Sequence, residues 1–198
     1  MSVLSLTPSP SLATSVLGGG KTSFLNNALL VIAGSILIAL TAQVSIPLPF
    51  TPVPVTGQTF GVLVVGMALG SRRGALAVIA YLMEGTMGAP VFAGGTGGAP
   101  ILAGPTAGYL FGFVPAAFVT GYLAENGWDR NPISTALAML AGNAMIYVPG
   151  LIVLGTMLGF TPSKTLSIGF IPFFMGDIVK LVLAAAAMPL AWKFLGKK

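Results

Sequence analysis

Asp177 and Lys180 stand three residues apart in Pro172–Ala187, PFFMGDIVKLVLAAAA, a run that is otherwise apolar. On a helix that spacing places the acid and the base on one face. An ionised side chain at the middle of a bilayer costs roughly 2.5–3.5 kcal/mol on insertion scales, so such groups face a partner, a cavity or a ligand rather than lipid. The pair is therefore read first as part of a ligand site, and second as a self-neutralising pair or the anchor of a helix end. Three further polar residues lie in apolar stretches: Glu84, and Asn143 with Tyr147, which are one helical turn apart.

The elements that must carry these residues are membrane helices. Of 198 residues 55% are hydrophobic and 7% charged, and mean hydropathy is +0.95, against about 25% charged in an average soluble domain. At about 20 residues per spanning helix the length accommodates five to seven helices and leaves no room for a separate catalytic or nucleotide-binding domain. Cysteine and histidine are absent, which removes thiolate nucleophiles, histidine bases and the usual zinc, haem and iron–sulfur ligand sets. The net charge of +5 comes from scattered basic residues, which report topology rather than nucleic-acid binding.

In chain order, residues 1–23 read as a flexible Ser-, Thr-, Pro- and Gly-rich tail without the layout of a signal peptide. Its GGGKTS, Gly18 to Ser23, resembles the end of a Walker A loop, but no strand precedes it and Ser15 occupies the required first glycine. Residues 24–198 read as an all-α membrane domain of six transmembrane helices: Phe24 to Ala42, Gly57 to Gly70, Gly74 to Gly88, Thr106 to Ala124, Pro132 to about Met157, and Ser167 to Phe194, the last with kinks expected near Pro172 and Pro189. Between the first two, Gln43 to Thr56 holds Pro47, Pro49, Pro52 and Pro54, which bar a helix and favour an extended loop packed on the protein. Between the third and fourth, Ala89 to Pro105 is so rich in glycine and proline that no regular structure is expected. Lys21, Arg72, Arg73, Arg130, Lys193, Lys197 and Lys198 fall on the side of the termini and Lys164 on the other. The positive-inside rule then puts both termini in the cytoplasm and both loops outside. In that topology Asp177 lies roughly 15 Å below the outer end of its helix and Lys180 roughly 20 Å, with Glu84, Asn143 and Tyr147 in the middle or outer half of the bundle. Three helices thus bring polar groups beneath two outward loops.

AQVSIPLPFTPVPVTGQTFGVLVVGMALG, YLMEGTMGAPVFAGGTGG, GPTAGYLFGF and PFFMGDIVK together resemble the BioY family, the biotin-specific substrate-binding (S) subunits of energy-coupling-factor (ECF) vitamin transporters. The resemblance covers about residues 42–187. It implies a six-helix subunit, not an enzyme, that binds biotin from the outer side and works in the cell membrane with a transmembrane scaffold subunit and two ATP-binding subunits, needing no cofactor or metal of its own. It also implies that Asp177 and Lys180 are the family's acid and lysine, that Pro54, Val55, Thr56 and Gln58 form its PVT-Q segment, and that Gly104, Pro105, Thr106, Gly108 and Tyr109 form its GPT-GY segment. For such a ligand Asp177 or Glu84 would accept the ureido N–H groups, and Asn143 or Gln58 would serve the ureido carbonyl. Lys180 would neutralise the carboxylate, and Tyr81, Tyr109 or Phe92 would flank the rings. Ser35-xxx-Ala39, with Ala28, Ala33 and Ala42, is the nearest match to the small-residue docking pattern of the first helix. The competing readings are an intramembrane enzyme using Asp177 and Glu84 as acid and base, and a stand-alone secondary transporter or channel for a small carboxylate-bearing solute.

Overall fold

The computed structural model describes residues 11–16 and 23–195. The Gly18–Ser23 motif, Ser23 excepted, and the cations Lys21, Lys197 and Lys198 lie outside them. Within the segment expected as a flexible tail, Leu12–Val16 forms the short helix α1, packed against α3 and α8 with Ser11 and Ala13 buried.

α2 spans Phe24–Ala42, the bounds expected from its apolar run. The proline-rich segment that follows is ordered beyond a loop. β1 (Ser45–Leu48) and β2 (Thr51–Thr56) pair antiparallel, Ser45 opposite Thr56 and Leu48 opposite Thr51, with an irregularity between Ile46 and Leu48 where Pro47 sits. Pro52 and Pro54 alternate along β2, so both missing N–H groups fall on the same strand edge and the other edge is free to pair.

α3 (Gln58–Leu69) and α4 (Ser71–Thr86) are separated by Gly70 alone, at φ 85°. α4 therefore begins before the Gly74 expected from the sequence, and Arg72 and Arg73 lie in its first turn. What permits this start is a cap from another helix: the Glu125 carboxylate accepts from the Ser71 backbone N–H at 2.8 Å and from its hydroxyl at 3.0 Å, placing negative charge at a helix N-terminus. The glycine-rich segment after α4 is likewise more regular than expected. It makes 3-10 turns at Ala93–Gly95 and Ala99–Ala103, and a bridge pairs Phe92 with Thr96.

α5 (Ala107–Glu125) and α6 (Pro132–Leu158) form the most intimate pair. Gly108 and Gly112 present a small-residue ridge on which backbones can approach closely. A Cβ on Gly112 would lie 2.6 Å from the Met145 carbonyl oxygen and 2.8 Å from the Ile146 Cα. α6 starts at Pro132 as expected, with Asn131 accepting from the Ile133 N–H at 2.9 Å, and ends at Gly159 with φ 64°.

The last helix is not continuous from Ser167. α7 (Pro162–Gly169) and α8 (Ile171–Leu195) meet at Phe170, whose φ/ψ of −130°/−54° leave the helix. Pro172 has no N–H with which to carry the ladder back across this point. α8 continues through Pro189, where a kink was expected.

Among the described residues four helices, α2, α5, α6 and α8, are long and apolar enough to cross a membrane; α3 is apolar but shorter. At one end of the molecule the α5–α6 turn is fastened to α8. Asp129, 1% exposed, accepts from the Trp192 indole N–H at 2.6 Å, and the Arg130 guanidinium lies 4.6 Å from the centroid of the same indole. The second Asp129 oxygen is buried without a partner among the described residues. Burial, the largest influence, pushes this carboxyl above its ordinary 3.8, against the opposing pull of Trp192 and Arg130.

Candidate functional site

A cavity of about 270 Å³ opens between the hairpin, the glycine-rich segment, the first turns of α3 and α5, the middle of α6 and the first half of α8, near the lower end of the roughly 300–1,000 Å³ usual for small-ligand sites. Val53, Pro54 and Thr56 of β2 form one wall and Phe92, Ala93, Thr96 and Ile101 another. The floor and sides are apolar, from Leu110 and Phe113 of α5, Ile146 of α6 and Phe173 of α8.

Into this cavity α8 projects Asp177 and Lys180. Because α8 starts at Ile171, Asp177 lies about 9 Å below its first residue, shallower than a helix from Ser167 would place it. Lys180 Nζ stands 3.1 Å from Asp177 Oδ1 and donates to Thr59 Oγ1 at 2.8 Å, while the Tyr147 hydroxyl donates to Asp177 Oδ2. The two side chains are 17% and 11% exposed. The cluster is thus a hydrogen-bonded pair of zero net charge, which meets the condition on which buried ions persist. Tyr109 lines the cavity and its hydroxyl donates to the Gly169 carbonyl at 2.9 Å, tying α5 to the α7–α8 break. Tyr147 packs edge-to-face on Tyr109 and Phe170, with centroids 6.1 and 5.0 Å apart.

Of the residues singled out from the sequence, Asp177, Lys180, Tyr147, Thr56, Gln58, Phe92 and Tyr109 line the cavity. Tyr81, Glu84 and Asn143 do not. Tyr81 is wholly buried behind the wall, bonded to Gln58. Glu84 is half-buried in the seam between α4 and α2, where it accepts from Ser35 at 3.0 Å. Asn143 is half-buried on α6, one turn from Tyr147 and off the lining. Thr59 was missed. A threonine at the start of an apolar helix carries no signal by itself, and only its contact with Lys180 reveals it. Among the described residues no three His, Cys, Asp or Glu side chains gather to hold a metal ion. What the site presents is a set of fixed donors and acceptors in an apolar enclosure, which suits recognition of a small molecule with a polar head.

Residues 13–197 match the model of the BioY family. The chain belongs to that family. It is 42% identical over 160 residues to the biotin transporter BioY of Rhizobium etli, covering 76% of this chain and 84% of that one. It is 45% identical over 150 residues to the biotin transporter BioY of Thermotoga maritima, covering 75% and 85%. Its fold is similar to the crystal structure of the S-component for biotin from an ECF-type ABC transporter, with a TM-score of 0.77, 25% identity, and 85% and 92% of the two chains covered. As a BioY-family member it is a multi-pass membrane protein of transport, not an enzyme.

Proposed function

We propose that this chain captures biotin from the outer side of the cell membrane for ATP-driven uptake with an ECF scaffold subunit and two ATP-binding subunits. In this reading α2 to α6 and α8 make six spans, both termini are cytoplasmic, and the hairpin and the glycine-rich segment face outward. The charge distribution supports it: Arg72, Arg73, Arg130 and Lys193 lie at one end of the bundle, and Lys164 at the other.

The observation that carries the proposal is the neutral Asp177–Lys180 pair inside an apolar cavity of a BioY-family chain. With Oδ1 and Nζ 3.1 Å apart, the pair meets one end of an extended ligand and not both. A ureido edge offers an N–H beside a C=O, also neutral, matching an acceptor beside a donor. A ligand carboxylate at the same place would set a second anion beside Asp177 with Lys180 as the one cation between them, a net negative charge in a low-dielectric pocket. The ureido head therefore goes to Asp177 and Lys180, and the carboxylate towards the loops, where less water is stripped from it. This moves Lys180 from the carboxylate, its role in the sequence reading, to the ureido carbonyl. Tyr109 and Phe92 flank the bicycle, and Thr56 and Gln58 supply further polar contacts. Glu84 and Asn143 stay off the ligand.

Native mass spectrometry of the chain purified from biotin-fed cells tests the substrate directly. Retained biotin is the expected result; a different retained solute, with biotin unable to displace it, would refute the proposal.

A further inference from the structure

Tyr81 is wholly buried in α4, outside the cavity, yet its hydroxyl touches two elements that form the cavity wall. It lies 3.1 Å from the Val91 carbonyl oxygen at the start of the glycine-rich segment, and it is bonded to the Gln58 side-chain amide at the start of α3. The protons can be assigned by elimination. A carbonyl oxygen only accepts, so the Tyr81 O–H must point at Val91. The phenol oxygen is then left to accept, and the group it accepts from must be the Gln58 NH₂. Gln58 lines the cavity and is 5% exposed, and with its nitrogen held from behind, its carbonyl oxygen is the end available to a ligand. The Tyr81 ring is itself braced edge-to-face against Phe92, centroids 5.5 Å apart, which stops the phenol from swinging away.

We propose that Tyr81 is a positioning residue: it locks Gln58 so that the pocket presents an acceptor there, making the site selective for ligands with a second N–H donor. This rests on the biotin reading above and refines it. Gln58 neighbours Thr59, the residue to which Lys180 donates. Asp177, Lys180 and Gln58 then offer acceptor, donor and acceptor, the complement of the donor, acceptor and donor that a ureido group presents. An amide free to flip would lose this discrimination, because its NH₂ would serve a carbonyl equally well.

The test is equilibrium binding to the full chain in detergent. The probes are biotin and its two lactam analogues, in each of which CH₂ replaces one ureido N–H. The variants are Tyr81→Phe, Gln58→Met and the double substitution. The wild type is expected to prefer biotin over both analogues. Tyr81→Phe should weaken biotin by roughly tenfold while leaving one analogue nearly unaffected, so that one selectivity ratio collapses and the other stays. Gln58→Met should do the same, and the double variant should be no weaker than Gln58→Met alone, the signature of residues acting as a unit. A Tyr81 that merely packs would lower affinity for all three probes together or add its loss to that of Gln58→Met, and either result overturns the proposal. Should Tyr81→Phe fail to fold, unchanged selectivity in Gln58→Met would overturn it. A wild type that binds none of the three probes would instead overturn the biotin reading.

Discussion

Asp177 and Lys180 were legible in the sequence because ionisable groups in an apolar helix have few places to go, and their spacing puts them on one face. The same logic found Glu84 but could not say which seam it enters; Ser35 on α2 decides that. Thr59 and the apolar lining, Phe113, Ile146 and Phe173 among it, carry no sequence signal that separates a cavity wall from a helix contact. Removing one member of a paired buried charge strands the other, at a cost of about 3–5 kcal/mol. Asp177→Asn is therefore expected to lower thermal stability in detergent and to weaken biotin by at least a hundredfold in equilibrium binding; unchanged values for both would contradict the role of the pair. A second residue-scale prediction concerns Asp129. Its folded pKa is raised by burial, so the folded state holds the proton more tightly than the unfolded chain. The resulting stabilisation is complete below the unfolded value of about 3.9 and is lost as pH rises through the folded value. Melting of the wild type against Asp129→Asn, which cannot titrate, should show the wild type gaining on the variant as pH falls from 8 towards 4. A flat or opposite trend would refute it.

At the scale of elements, apolar runs bounded by glycine and proline gave α2 its full extent and α6 its start. The failures have physical reasons beyond local pattern. α4 starts early because Glu125, fifty-four residues on in the chain, caps it. The proline-rich loop becomes a hairpin because its prolines alternate with residues that can still pair. The last helix breaks because Pro172 interrupts its ladder just below Gly169, whose carbonyl Tyr109 holds. The closeness of α5 and α6 yields a prediction of its own. Gly112→Leu must drive a side chain into the Met145–Ile146 backbone and should cost about 1–3 kcal/mol, as overpacked interiors do, with a corresponding fall in the melting temperature. Phe111→Leu on the exposed side of the same helix should change it little.

For the whole molecule, the proposed six-span topology with both termini in the cytoplasm is simple to check, because the sequence holds no cysteine. Single cysteines introduced at Asn126 or Lys193 should react with a membrane-impermeant thiol reagent only after cells are opened, whereas cysteines at Thr96 or Ser163 should react in intact cells. The reverse pattern would invert the protein and turn its cavity towards the cytoplasm. The account as a whole holds that a charge-neutral polar cluster, sunk in an apolar cavity, reads the ureido end of biotin. Its most direct test is titration of the purified full chain with biotin and with biotin amide, whose tail carries no charge. Saturable binding of both below micromolar concentration, with affinities within a few-fold of one another and both weakened at least a hundredfold in Asp177→Asn, is the result expected. Absence of saturable biotin binding, or an affinity unchanged in Asp177→Asn, would contradict it.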